Sequence, residues 1–256
     1  MSFQERIKQK KGKEKIIMLT AYDSQMARIL DQTGIDMILV GDSSGMVVQG
    51  HKDTKSVTMG DMIFHIEAVA SRAASAPIIG DMPIHSCNTM GDCLENAKKF
   101  VEAGANGVKI EGKKTDAIKA LIKAGIPVMG HVGMLPQMAE TYHVKGKKPE
   151  EAQEILQDAL ELDGLGVFSI VLECIPESLA KTITNSVKVP TIGIGAGKHC
   201  DGQVLVINDM LGFDENFKPK YVKTYANLNK TIKDAVAKFI EEVSTGKYPD
   251  DEHTYH

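Results

Sequence analysis

The chain has no apolar run long enough to cross a membrane and no stripe of basic residues, and these two gaps remove whole classes of function. Nowhere do the roughly 18 uncharged apolar residues needed for a spanning helix stand together. The stretch from Met1 to Lys13 lacks the apolar segment of a secretory signal, so a cytoplasmic protein with no membrane partner is expected. Lysine and arginine total 30 against 34 aspartates and glutamates, spread along the chain, for a net charge of -4. That balance argues against nucleic acid and leaves small molecules as the expected partners.

Cysteine is scarce as well. Cys87, Cys93, Cys174 and Cys200 form no C-x-x-C pair, and 256 residues at 43% hydrophobic content can build a large core without disulfide staples. Four reduced thiols are expected, ahead of a zinc site or a nucleophile. Cys174 is the one to watch, because it follows Glu173 at a strand end. No internal repeat, low-complexity tract or linker interrupts the chain, so residues 1–256 are expected to form one domain.

What is present is a succession of short Ile- and Val-rich runs, at 16–20, 35–40, 77–81, 106–110, 126–130, 166–172, 189–194 and 203–207. They mostly do not alternate with polar residues, as befits parallel strands covered on both faces. Helical patterns lie between them. The clearest has Met62, Ile66, Val69 and Ala73 on one face, with Thr58 placed to cap it. Others span about 88–103, 114–124, 149–162 and 176–187, and Ile232 to Val243 mark a long amphipathic helix near the end. An α/β fold of the TIM (β/α)8-barrel type is expected, with an N-terminal extension and a long C-terminal helix; an open Rossmann-like sheet is the alternative. The long segments 41–57 and 132–148 read as lids or binding loops, and Lys8 to Lys15 as a solvated connector.

Acidic residues recur where the runs end: Asp42, Asp81, Glu111 and Glu173. In a parallel barrel such positions gather at the carboxyl-terminal rim, where active sites lie. Any one of them alone reads as a cap or a surface charge. Together, Asp42, Asp81 and Glu111 offer only hard oxygen ligands, suited to Mg²⁺ or Mn²⁺ and poorly to zinc. An α-keto acid can share such an ion through its carboxylate and keto oxygens.

Lys109 stands two residues before Glu111, so both side chains leave the strand on one face. It either pairs with Glu111 as a rim salt bridge or neutralises a substrate carboxylate or enolate. His131 is either a core histidine or, from its place in the rim row, a pocket residue. Glu173 ends an apolar strand with no basic neighbour; a partly desolvated carboxylate gains proton affinity, which makes it the candidate general base. In Gly193-Ile-Gly-Ala-Gly, Lys198 stands where G-x-G-x-x-G needs its last glycine, so the dinucleotide signal is weak. Close approach of backbone to a ligand is the preferred reading there, ahead of contact with a neighbouring strand.

Several stretches carry a family likeness: Val40-Gly-Asp-Ser-Ser-Gly-Met-Val-Val-Gln-Gly-His-Lys-Asp-Thr, Gly80-Asp-Met-Pro, Val108-Lys-Ile-Glu-Gly, Gly130-His-Val-Gly-Met-Leu-Pro-Gln, Val171-Leu-Glu-Cys-Ile-Pro and Gly193-Ile-Gly-Ala-Gly. In this order they closely resemble ketopantoate hydroxymethyltransferase, from about Thr20 to Phe213. The resemblance implies transfer of a hydroxymethyl group from the cosubstrate methylenetetrahydrofolate to α-ketoisovalerate, giving ketopantoate for pantothenate biosynthesis. It implies Mg²⁺ on Asp42 and Asp81 with Glu111 in its shell, and a keto acid held by Asp42, Ser43, Asp81 and Lys109. Glu173 would then be the proton acceptor and His131 a pocket residue. It also implies a cytoplasmic homo-oligomer, a decamer. Ser44, Ile84, Cys87 and Leu135 depart from the usual pattern, which bears on pocket shape and folate affinity more than on reaction type.

Two rival readings accompany it. A barrel of the isocitrate lyase and phosphoenolpyruvate mutase group shares the carboxylate-held metal but needs a Lys-Lys-Cys-Gly-His-like motif, which is absent. A non-catalytic metabolite sensor would use Lys109 and Glu173 only to tune affinity.

Overall fold

The computed structural model describes residues 1–217 and 219–256, which divide into two compact units, Met1–Val206 and Ile207–His256. The first holds eight parallel strands: β1 (Ile16–Thr20), β2 (Met37–Val40), β3 (Ile78–Asp81), β4 (Gly107–Glu111), β5 (Val128–Gly133), β6 (Ser169–Glu173), β7 (Thr191–Ile194) and β8 (Gly202–Leu205). Each pairs with the next, and β8 returns to β1, closing the barrel. The TIM-type architecture is therefore present and the open sheet is excluded. Every expected strand is found, shifted by no more than a few residues.

The helices of this unit are α1 (Phe3–Lys10), α2 (Ser24–Asp31), α3 (Ser44–Val47), α4 (Met59–Ala70), α5 (Met90–Glu102), α6 (Thr115–Lys123), α7 (Pro149–Leu165) and α8 (Glu177–Ser186). β7 passes to β8 through residues 195–201 without a helix. Local chemistry sets the helix starts. Thr58 accepts from the Asp61 N–H while Asp61 accepts from the Thr58 N–H, a reciprocal cap on α4. Gly80 on β3 lets α4 and α5 press against the sheet: a Cβ there would lie 2.7 Å from Phe100 and 2.8 Å from Ile66.

The lower half of the barrel is apolar, with Ile16, Met18, Met37, Ile79, Met129 and Phe168 in one buried cluster. α1 closes it from the amino-terminal side. Ile7 is buried in that cluster, and the Phe3 ring meets Phe168 edge-on at 5.4 Å. Burying a side chain such as Ile7 contributes about 1.5–3 kcal/mol.

The segment Lys8 to Lys15 is the largely exposed connector expected from its charge, running from the end of α1 to β1, and three of its lysines reach acceptors on the barrel. Lys10 pairs with Asp36 at 2.5 Å, Lys11 with Asp201 at 2.9 Å, and Lys15 donates to the Cys200 carbonyl at 2.5 Å.

The expectation of four thiols is corrected. Cys87 and Cys93 form a disulfide, their Cα atoms 4.1 Å apart, while Cys174 and Cys200 are free. Between the pair, Thr89 accepts from the Asp92 N–H and turns the chain into α5. That turn joins two positions whose spacing matches no familiar pair motif.

The second unit contains α9 (Ile207–Leu211) and α10 (Leu228–Ser244). α10 follows the expected amphipathic pattern, and its apolar side chains Ile232, Val236, Phe239, Ile240 and Val243 are exposed. Among the described residues no helix is long and apolar enough to cross a membrane.

Candidate active site at the carboxyl ends of the strands

Strand register brings the rim residues together. Asp81 ends β3 beside Lys109 of β4, and Glu111 ends β4 beside His131 of β5. Asp42 follows β2, and Glu173 ends β6 level with Gly133. Asp42, Asp81, Lys109, Glu111 and His131 are all buried, and the Glu173 side chain is 14% exposed. At Gly133 φ is +99°, and a Cβ would lie 2.3 Å from the Glu173 carbonyl, so only glycine lets the β5 loop leave so close to Glu173.

Lys109 does not pair principally with Glu111. Its Nζ donates to both oxygens of Asp81, at 2.7 and 2.9 Å, and stays 4.0 Å from Glu111 Oε1. His131 lies between two carboxylates, with Nε2 3.1 Å from Glu173 Oε2 and Nδ1 3.7 Å from Glu111 Oε1. Neither contact has hydrogen-bond geometry, so the ring is buried without being bound to either carboxylate. Burial, aided by the Lys109 charge, holds His131 well below the usual histidine range, so the ring is neutral at pH 7.

Four carboxylates crowd around one ammonium. Burial, reinforced by the Asp81 charge, raises Asp42 well above its ordinary value. Burial pushes Glu111 up to about 8 against the opposing pull of Lys109, with Asp81 and Glu173 adding to the rise. Burial likewise pushes Glu173 up to about 8. Burial works to lower Lys109, but the charges of Asp81, Glu111 and Asp42 hold it above its ordinary value. The pocket therefore favours protons or an added cation.

The donor chemistry fits a hard divalent cation. The carboxylates supply only oxygen, and one of those atoms, Glu111 Oε1, is buried with no hydrogen-bond partner. Among the described residues no three His, Cys, Asp or Glu side chains stand together as a finished metal cage, and the Lys109 ammonium occupies the space between Asp81 and Glu111. Waters and substrate oxygens would have to complete the coordination, as Mg²⁺ commonly requires.

Sequence reasoning missed several neighbours. The Tyr22 hydroxyl is 2.8 Å from Ser43 Oγ, and the Tyr22 carbonyl is held by His65 Nδ1 at 2.8 Å. Gln137 Nε2 donates to Asp42 Oδ2 at 2.9 Å. Tyr142, half-exposed in the long loop after β5, is pushed up to about 12 by burial and by the charges of Asp53, Asp42, Glu173 and Glu111. Both Gln137 and Tyr142 belong to the 132–148 segment, whose length was the signal that it serves the site.

Cys174 is the ordinary free thiol expected. Burial and the Glu173 charge push the Cys174 thiol up to about 12, which leaves it protonated and unsuited to nucleophilic work. Two of the 193–197 glycines pack tightly against neighbouring elements, in line with the strand-contact alternative. A Cβ on Gly193 would lie 2.9 Å from Cys200 Sγ, and one on Gly197 2.5 Å from Glu177 Cγ.

A family profile described as ketopantoate hydroxymethyltransferase matches residues 1–251. This chain belongs to the ketopantoate hydroxymethyltransferase family. A 3-methyl-2-oxobutanoate hydroxymethyltransferase of Clostridium botulinum (strain 657 / Type Ba4) is 51% identical over 249 residues, 94% of this chain and 90% of that protein. The protein of that name from Clostridium kluyveri is 50% identical over 253 residues, 96% and 90% of the two chains. Solved structures outside the ketopantoate hydroxymethyltransferases share the barrel. Phosphonopyruvate hydrolase has a TM-score of 0.65 at 14% identity, covering 100% of this chain and 92% of that one. For 2,3-dimethylmalate lyase, of the PEP mutase/isocitrate lyase superfamily, the values are 0.61, 15%, 99% and 92%. At such identity the likeness concerns the fold alone.

Proposed function

We propose that this ketopantoate hydroxymethyltransferase family member moves a hydroxymethyl group from methylenetetrahydrofolate to α-ketoisovalerate, with Mg²⁺ as cofactor. Asp42 and Asp81 would hold the ion, with Glu111 behind them through water. When bound, the ion supplies Lewis-acid polarisation of the keto group. The chain's own groups do the rest. Lys109 neutralises the substrate carboxylate and the charge that develops on its enolate. Ser43, oriented by the Tyr22 hydroxyl, donates to the keto acid. Glu173 takes the proton from the carbon next to the keto group, and the resulting enolate attacks the one-carbon unit, with water supplying the product's hydroxyl and tetrahydrofolate released as the leaving group. Neutral His131 lines the same pocket.

The raised proton affinity of Glu173, beside an otherwise apolar strand and 3.1 Å from His131, carries this reading. Incubating the protein with Mg²⁺ and ketoisovalerate in heavy water tests it: a working base exchanges the substrate hydrogen, whereas a metabolite sensor leaves it in place.

The exposed apolar side of α10 supports self-association in a homo-oligomer, with the decamer the assembly that the family resemblance implies. Sedimentation velocity reads the subunit number directly. A cytoplasmic location is part of the same reading.

A further inference from the structure

One residue of the long loop after β5 makes three hydrogen bonds into the acidic pocket. Gln137 Nε2 donates to Asp42 Oδ2 and to the Met82 carbonyl, each at 2.9 Å, and its backbone N–H donates to Glu111 Oε2 at 3.1 Å. Gln137 is 6% exposed while the next residue, Met138, is 75% exposed, so the loop turns this one side chain inward. Through these bonds a single residue links the ends of β2, β3 and β4.

The residue type matters. A carboxamide nitrogen offers two N–H donors and no charge, so it serves two acceptors without cancelling the negative charge that a cation needs. A lysine here would neutralise the pocket, and a glutamate would repel Asp42.

We propose that Gln137 is a positioning residue for the cation site, fixing the Asp42 carboxylate with its side chain and the Glu111 carboxylate with its backbone, so that cation binding and closure of the 134–148 loop are coupled. The inference rests on the proposed reading of these carboxylates as facing a divalent cation. Groups that orient metal ligands from behind are commonly worth about 10- to 100-fold in metal affinity.

The test is Gln137→Met, which keeps the side-chain length and the backbone N–H but removes both side-chain donors. Mn²⁺ alone is titrated into the full chain by calorimetry, and the loop is probed by limited proteolysis with and without Mn²⁺. The Mn²⁺ Kd is expected to rise by about 10- to 100-fold. Mn²⁺ is expected to protect the loop in the unmodified protein and not in the variant. A merely structural role would lower thermal stability and leave both readouts unmoved. Should Gln137→Met fail to fold, Gln137→Asn, whose shorter carboxamide cannot span both acceptors, carries the same measurement with the same expected loss. If the unmodified protein binds Mn²⁺ and a folded variant binds it equally well, the role of Gln137 is overturned and the metal reading stands. If the unmodified protein shows no saturable Mn²⁺ binding, both are overturned.

Discussion

Lys109 is bound to Asp81 through both carboxylate oxygens, at 2.7 and 2.9 Å, although Glu111 is the acidic neighbour on its own strand. The partner comes from the adjacent strand because parallel pairing sets Asp81 and Lys109 side by side. Asp81 therefore has two tasks, a proposed ligand role and charge balance for a buried ammonium.

Asp81→Ala consequently tests more than metal binding. It leaves Lys109 buried without its main partner, and breaking a buried pair in this way costs about 3–5 kcal/mol. Thermal unfolding should show a marked loss for Asp81→Ala, largely recovered in the double variant Asp81→Ala/Lys109→Met. Equal melting of the single variant and the unmodified protein would show that the pair adds nothing to stability. Asp42→Asn is the cleaner probe of the cation, since it spares Lys109.

Lys109→Met should weaken keto-acid binding even with Mg²⁺ saturating, because it removes a buried ammonium that faces the pocket. Ketoisovalerate affinity, read by titration, checks this. An unchanged value would confine Lys109 to its pairing with Asp81.

Glu173→Gln preserves size and removes the basic oxygen. Keto-acid binding should persist while deuterium exchange and product formation fall together by about 10²- to 10⁴-fold, the usual worth of general-base assistance. Exchange at the unmodified rate would transfer the role elsewhere, with His131 the first candidate.

Burial raises Glu111 and Glu173 from 4.5 to about 8 in the folded protein. Between those values the folded chain holds protons that the unfolded chain has released, so stability falls as pH rises through that window. Melting temperatures of the metal-free protein should decline from pH 4.5 to about 8 for this reason, and Glu173→Gln should flatten part of the decline. An identical slope in the variant would remove Glu173 as a contributor. The exchange reaction has the opposite slope, rising as Glu173 ionises.

The disulfide gives a direct count. Denatured, unreduced protein should show two reactive thiols, Cys174 and Cys200, and four after reduction. Four before reduction would restore the expectation of free thiols.

The sequence by itself determined the barrel and the charged rim. Period, β-branched runs and caps are local properties, so strands such as 16–20 and helix starts such as Thr58 could be read without neighbours. Asp42, Asp81, Glu111, His131 and Glu173 were legible because strand ends in a parallel barrel converge by topology alone. α1 and α2 escaped notice because each is only eight residues long, too short for a clear period.

Only the tertiary structure decided which of these groups touch. The choice of Asp81 over Glu111 for Lys109 depends on strand register, and the inward turn of Gln137 depends on the path of a loop with no period of its own. The Cys87–Cys93 bond depends on one capped turn. The raised values of Glu111 and Glu173 arise from desolvation, a property of the assembled pocket that no linear spacing carries.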